Sequence, residues 1–542
     1  MRVLLISTPY PREENPLPPL SLTYLAGALE REGVDVQIMD FLVARYHPQK
    51  LRRKLAEYRP QLVGVTCVTM NSGLATKILR VCKDFDPNIT TVIGGPHASF
   101  TPDETLRRAP WVDVIVIGEG ETTLVELCHQ VASAGDYGRV AGIAFADEGR
   151  VVKTAPRPLL EDLDQLPLPA RHLLPLARYQ ALGVPCTVTT SRGCPYGCIF
   201  CSAHQMFGRK VHFRSPGLVV DEIEMLHRDF GFRQINIVDD TFTVNHDHAG
   251  QVCEEILKRD LNISWSTYAR VDNVTGDLMT LMRRAGCETV LFGIESSDEN
   301  ILKTIRKGIT PEDIRRGVKI ACGAGFRVLT SFIFGLPGET PDSVRNTMAF
   351  ADELNKNYGA EYAFHVLAPM PGTELYERAA DYSLHFLTRN WANYDANRPV
   401  VELPTISKEA VKKAMASYEQ AIEQVWDQIR CRAAEGDDRS RKTIDDIEAR
   451  TFIWKVLQGD LIDKLGKIAT LDTADPAGAT AGLARCIAQK LDSPYETALN
   501  QIELLVQKAL ISPAPAGRGV RWQWSSIPQT RLENTSQLHK ST

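Results

Sequence analysis

Short apolar, β-branched runs alternate twice along this chain with amphipathic helical stretches, and that alternation restricts the fold more than any other feature. In the first series the runs are "RVLLIST" (2–8), "VDVQIMD" (34–40), "LVGVTCV" (62–68), "TTVIGGP" (90–96) and "VDVIVIGEG" (112–120), with "SLTYLAGALEREG" and "SGLATKILRVCKDF" among the segments between them. Strands about 30 residues apart with helical crossovers predict a parallel, doubly wound sheet. Five strands suit a flavodoxin-like Rossmann domain, expected over 1–147. The second series is "CTVTTS" (186–191), "QINIVDD" (234–240), "ISWSTYAR" (263–270), "TVLFGIES" (289–296), "RVLTSFIFG" (327–335) and "YAFHVLAP" (362–369). Six βα repeats predict a partial (β/α)6 barrel over 185–400, with its chemistry on the loops after the strands' carboxyl ends.

Residues 148–184 are expected to form a linker, because 155–185 carries six prolines and little periodicity. From about 401 to 527 long helical patterns take over, with a strand signal only at "VRWQW" near 520, and 528–542 reads as a polar, disordered tail. A length of 542 residues exceeds one ordinary core. With a net charge of −5 and no block of lysine and arginine, the chain lacks the basic face a nucleic-acid partner would want. No run approaches the length of a membrane helix, and the N-terminal run reads as a strand rather than a signal peptide. A cytoplasmic location follows as the expectation, and in that compartment clustered thiols are metal-binding or catalytic rather than disulfide-bonded.

Three of the twelve cysteines fall in "SRGCPYGCIFC" (191–201), in the loop after the first barrel strand. A structural zinc site wants four protein ligands, normally two separated pairs, and neither Cys186 nor His204 makes a second pair. A [4Fe–4S] cluster normally takes four thiolates, so Cys194, Cys198 and Cys201 would leave one iron free to bind something else. Gly193 and Gly197 would let the backbone wrap closely around such a cluster.

The spacing Cys-x3-Cys-x2-Cys, with the aromatic Phe200 before the last cysteine, resembles the radical S-adenosylmethionine superfamily. The resemblance implies that the open iron chelates S-adenosylmethionine, and that one electron cleaves the sulfonium to a 5′-deoxyadenosyl radical. It also implies roles for the strand-end motifs. In "VDDTF" (238–242), Asp239 and Asp240 would meet the methionyl amine, although the glycines usual there are absent. In "YARVD" (268–272), Arg270 would meet the carboxylate or the cluster's surroundings. In "FGIES" (292–296), Glu295 and Ser296 would contact ribose or carboxylate. In "FIFGLPGET" (332–340), Gly335, Leu336 and Pro337 would pass along the adenine. Taken singly, an acidic residue at a strand end often only caps the next helix.

The first domain carries "IGGPH" (93–97) and "VIGEGE" (116–121) after its fourth and fifth strands. Glycine pairs there let a large ligand approach the backbone. The arrangement resembles cobalamin-binding Rossmann domains, in which a small residue precedes such a pair by about 26 positions, as Thr66 and Val68 precede Gly94 and Gly95. The implied cobalamin contacts are Thr66, Val68, Gly94, Gly95, Pro96, His97, Gly118, Glu119 and Gly120. The Asp-x-His-x-x-Gly signature that supplies cobalt with a histidine is missing from the first βα turn. Cys67, Cys82 and Cys128 are isolated, unlike the second-cluster cysteines of methylthiotransferases.

Together, residues 1 to about 400 resemble class B radical methylases and the anaerobic magnesium-protoporphyrin monomethyl ester cyclase. The implied reaction is methylation of an unactivated carbon in a small molecule or lipid, or alternatively an oxidative ring closure. The implied cofactors are a [4Fe–4S] cluster, S-adenosylmethionine and cobalamin, with a flavodoxin or ferredoxin as one-electron reductant.

Overall fold

The computed structural model describes residues 1–10, 16–468, 476–516 and 519–525; the expected disordered tail, 528–542, lies outside them. Seven strands form the first sheet: β1 (Arg2–Ser7), β2 (Asp35–Asp40), β3 (Leu62–Thr66), β4 (Thr90–Gly94), β5 (Val114–Val116), β6 (Ile143–Asp147) and β7 (Arg150–Lys153). Their order is β2-β1-β3-β4-β5-β6-β7. The first five are parallel and covered by helices, so Val3 to Ile6 of β1 and Leu62 to Val65 of β3 are continuously buried. The winding reverses between β1 and β3, which opens a crevice at their carboxyl ends.

The sheet does not stop at 147. β6 and β7 form an antiparallel hairpin against β5, turning at Glu148 (φ +45°) and Gly149 (φ +79°), the two positive angles that a two-residue turn of this twist requires. Within the stretch expected as linker, residues Leu176–Leu182 form a helix.

That stretch is also anchored. Arg171, 1% exposed, donates through Nη2 to Glu222 at 2.5 Å, and Arg214 donates to the other Glu222 oxygen at 2.7 Å. Arg214 also donates to the hydroxyl of Tyr24, in the helix Leu20–Arg31 of the first domain, at 3.1 Å. A buried carboxylate is tolerated because both of its oxygens face guanidinium groups.

The second sheet holds β8 (Cys186–Val188), β11 (Gln234–Ile237), β12 (Ser264–Ala269), β13 (Cys287–Glu295), β14 (Arg327–Phe334) and β15 (Glu361–Val366), all parallel. Its order, β15-β14-β13-β12-β11-β8, leaves the first and sixth strands unpaired, so the barrel is partial. β9 (Ser191–Arg192) and β10 (His212–Phe213) form a separate antiparallel ribbon that frames the cysteine loop. Thr310 and Thr340 cap the helices Pro311–Gly323 and Pro341–Tyr358, each of which opens on proline.

After the short pair β16 (His385–Phe386) and β17 (Val401–Glu402), the chain is mostly helical, as expected. It also carries a small antiparallel sheet of β18 (Lys467–Ile468), β19 (Ile511–Ala516) and β20 (Gly519–Trp524). Among the described residues, no helix is long and apolar enough to cross a membrane.

Candidate functional site

The cysteine loop is held from three sides. The Cys194 N–H donates to the Gly208 carbonyl at 3.2 Å, that of Ile199 to Ile305 at 3.2 Å, and that of Leu375 to Ile199 at 2.9 Å. Gly193 sits at φ +103°, where a Cβ would run into the Lys210 carbonyl, so a glycine is required there. Phe200 packs half-buried against the barrel core, and Cys198 Sγ lies 3.8 Å from the Arg306 carbonyl.

Burial raises all three thiols above their usual range, Cys201 to about 11, and each feels a neighbouring thiol or charged group of the site. A coordinated metal deprotonates such thiols outright. Among the described residues, no three His, Cys, Asp or Glu side chains gather to hold a single ion. Three thiols on one strapped loop suit the donor set of an iron–sulfur cluster.

The strand-end residues separate into two groups. Asp239 is 2% exposed and fully engaged: it accepts from the Thr190 N–H at 2.7 Å, the Thr190 hydroxyl at 2.5 Å, and the Thr189 and Ser191 hydroxyls at 3.0 and 2.8 Å. It clamps the end of the first barrel strand to the second. Ser296 is likewise structural: fully buried, its hydroxyl accepts from the Asp298 N–H at 3.1 Å at the start of the next helix.

Asp240, by contrast, is exposed to the cleft. Desolvation by the surrounding walls and the Asp239 carboxylate push its carboxyl up to about 6. It is close enough to raise the Cys194 and Cys201 thiols. Arg270 stacks over the Tyr196 ring of the cysteine loop at 3.7 Å, donates to Asp272 at 3.0 Å, and reaches the Lys307 carbonyl at 2.7 Å. Its place is thus beside the cluster loop.

Glu295 holds φ +73° at a bulge in β13 and accepts from Lys307 Nζ at 2.7 Å. Gly335 and Gly338 adopt φ +89° and +88°, turning the backbone of "GLPGE" around the buried Leu336 and Pro337. In that turn the Gly335 N–H donates to Glu339, whose other oxygen has no partner and whose carboxyl burial pushes up to about 8.

In the first domain a cavity of about 580 Å³ lies between the sheet and the helices Leu20–Arg31 and Glu121–Ala132. Thr66, Val68, Gly94, Gly95, Pro96, Gly118, Glu119 and Gly120 all line it, over an apolar strip formed by Leu5, Gly64, Val92 and Val116. Gly64 and Gly120 keep it open, since a Cβ on either would come within 2.9 Å of a leucine methyl. At φ +96°, Gly95 brings its backbone against Cys67 and Thr66.

His97 is the exception among the residues expected at the cofactor. It is absent from the lining; it is 5% exposed, its Nδ1 lies 3.3 Å from Thr69 Oγ1, and its ring meets Trp391 edge-on at 5.2 Å. Burial lowers its pKa to about 4. Cys67, Cys82 and Cys128 are buried and unpaired, with burial pushing each thiol up to about 12.

The cavity has a second wall, from the barrel: Arg192, Met206 and Phe207, on either side of the three cysteines. Sequence reading takes Arg192 only as loop-shaping and misses Tyr196 and Lys307; the partners of Arg192 and Tyr196 lie some seventy residues away in the chain. A glycine-rich strand-end cavity thus abuts a three-thiol barrel loop, the arrangement of a protein with two adjoining cofactor sites.

Comparisons with known proteins agree. The family model described as radical SAM superfamily matches residues 188–351, and the B12 binding domain matches 13–128. An uncharacterised methyltransferase of Pyrococcus horikoshii is 37% identical over 73% of this chain and 86% of its own length. The anaerobic magnesium-protoporphyrin IX monomethyl ester cyclase of Rubrivivax gelatinosus is 32% identical over 74% of this chain and 73% of its own. The cobalamin-dependent S-adenosylmethionine radical enzyme OxsB, solved with aqua-cobalamin and S-adenosylmethionine, shares the fold at a TM-score of 0.68 and 18% identity, covering 94% of this chain and 84% of that one. The chain belongs to the radical S-adenosylmethionine superfamily, in the branch that carries an N-terminal B12-binding domain. Its cofactors are a [4Fe–4S] cluster, S-adenosylmethionine and cobalamin.

Proposed function

We propose that the chain methylates an unactivated carbon of a small molecule or lipid, in the cytoplasm, drawing single electrons from a flavodoxin or ferredoxin. The observation that carries this reading is the shared wall: the cavity expected to hold cobalamin is walled on one side by Arg192, Met206 and Phe207, which flank the cysteine loop. With the groups bound, the cluster supplies the electron that cleaves S-adenosylmethionine and the corrinoid carries the methyl group.

The chain's residues do the rest. Cys194, Cys198 and Cys201 hold the cluster. Asp240 pairs with the methionyl amine, Glu295 with Lys307 frames the ribose side, and the Gly335–Gly338 turn passes the adenine. The apolar strip and the backbone at Gly94, Gly95, Gly118 and Gly120 would hold the corrinoid. Enclosure between the two domains keeps water from the reacting atoms.

Likeness to the Rubrivivax cyclase favours a second reading, an oxidative cyclisation without methyl transfer. Anaerobically reconstituted protein, reduced with titanium(III) citrate in the presence of hydroxocobalamin and S-adenosylmethionine, distinguishes them. Methylation predicts 5′-deoxyadenosine together with S-adenosylhomocysteine; 5′-deoxyadenosine alone selects the cyclase reading. A gel-filtered protein without corrinoid absorbance overturns both.

A further inference from the structure

Arg192 stands where the two cofactor sites meet. Its guanidinium forks between two carboxylates, Nη1 2.6 Å from Glu119 Oε1 and Nη2 2.6 Å from Glu121 Oε1. All three side chains are 10–13% exposed and all three line the first-domain cavity. Glu119 also accepts from the Leu160 N–H at 2.7 Å, so the fork joins the β5 loop, the linker and the barrel. On the barrel side Arg192 is half of β9, a strand of two residues paired with only two, and Cys194 follows two positions later.

A ribbon that short has little stability of its own. Its order depends on what grips its ends, and at Arg192 the grip is ionic. The fork is already largely withdrawn from water, and because its three side chains line the cavity, a ligand there removes their remaining exposure and strengthens the pairs in a still lower dielectric. The ligand expected here is rimmed with carboxamide N–H donors, a chemistry that suits carboxylates held in place by a cation.

We infer that Arg192 is a positioning residue that couples the two sites: a corrinoid in the cavity shields the Glu119–Arg192–Glu121 fork, the fork fixes the start of the cysteine loop, and cobalamin therefore slows loss of iron from the cluster. By linkage, whatever factor cobalamin adds to the equilibrium affinity of the cluster, the cluster adds to that of cobalamin. The inference rests on the cofactor assignment proposed above.

The test uses full-length protein, reconstituted anaerobically with and without hydroxocobalamin and then challenged with bathophenanthroline, while iron release is followed by absorbance. Gel filtration quantifies bound corrinoid in each sample. In wild-type protein, hydroxocobalamin is expected to slow iron release at least about fivefold, the lower end of typical couplings. In Arg192→Gln, corrinoid remains bound but changes the rate less than about twofold, which a merely structural residue would not produce. Arg192→Lys keeps the charge but lacks the planar fork that aims one arm at each carboxylate, and also loses protection. If Arg192→Gln fails to fold, Glu121→Gln removes one arm of the fork and carries the same expectation. Equal protection in wild type and variants, or none in corrinoid-loaded wild type, overturns the coupling alone. Wild-type protein that retains no corrinoid overturns the cofactor assignment with it.

Discussion

Lys307 Nζ donates to Glu295 Oε1 at 2.7 Å, with both side chains under a tenth exposed and Glu295 strained at φ +73°. A non-glycine residue persists in that conformation only where its surroundings hold it, and such positions concentrate at functional sites. Lys307 is also the charged group that most favours the Cys198 thiolate. Lys307→Met should therefore cost about 3–5 kcal/mol, the usual result of stranding one partner of a buried pair. It should also move the reconstituted cluster's midpoint potential to a more negative value, since a lost cation disfavours an added electron. Urea unfolding checks the first expectation and an EPR-monitored redox titration the second.

Adjacent aspartates should respond in opposite ways. Asp239→Ala strands donors from Thr189, Thr190 and Ser191 and should lower stability by about 3 kcal/mol or more, read as a fall in the urea midpoint. Asp240→Asn removes a carboxylate whose charge is disfavoured beside Asp239, so it should raise that midpoint slightly if it moves it at all, while weakening S-adenosylmethionine binding roughly tenfold through loss of one charge-assisted hydrogen bond, read by equilibrium dialysis.

Gly95→Ala should cost about 1–3 kcal/mol for the left-handed backbone and abolish corrinoid retention, because the new methyl meets the Cys67 carbonyl. Gly33→Ala, at φ +71° with open space around it, should cost only about 1 kcal/mol and leave retention intact. Thermal melts and corrinoid absorbance after gel filtration separate the two.

Glu339 predicts a pH dependence. Its folded pKa of about 8 lies above the ordinary 4.5, so its contribution to stability is fully present below pH 4.5 and is lost as pH rises through about 8. Glu339→Gln cannot ionise and should flatten the decline in Tm between pH 6 and 9. A variant whose Tm falls as steeply as that of the wild type would show that the group is ionised throughout.

Most of the scaffold was legible because strand periodicity and turn residues are local signals. Both parallel sheets, the partial barrel and the three-cysteine loop stand where the patterns put them. Features closed through space were not legible. The β6–β7 hairpin carries short apolar runs around its Glu148-Gly149 turn, but strands of five and four residues give too little alternation to be told from the linker that follows. Asp239 and Asp240 look alike in sequence, and only burial tells the clamp from the cleft residue. His97 follows a glycine pair, as a ligand might, yet its ring is claimed by Trp391, almost three hundred residues away.

The buried charges around Glu222 set how the molecule comes apart. Glu222 belongs to the barrel, but one of its two guanidinium partners, Arg171, belongs to the segment before it, and the other, Arg214, leans on Tyr24 of the first domain. A fragment beginning at residue 185 would keep the carboxylate and lose half its neutralisation, inside a site that water does not reach. Separately expressed halves should therefore be insoluble or molten, and residues up to about 400 should melt in one calorimetric transition: the two cofactor-binding units share a single folding equilibrium.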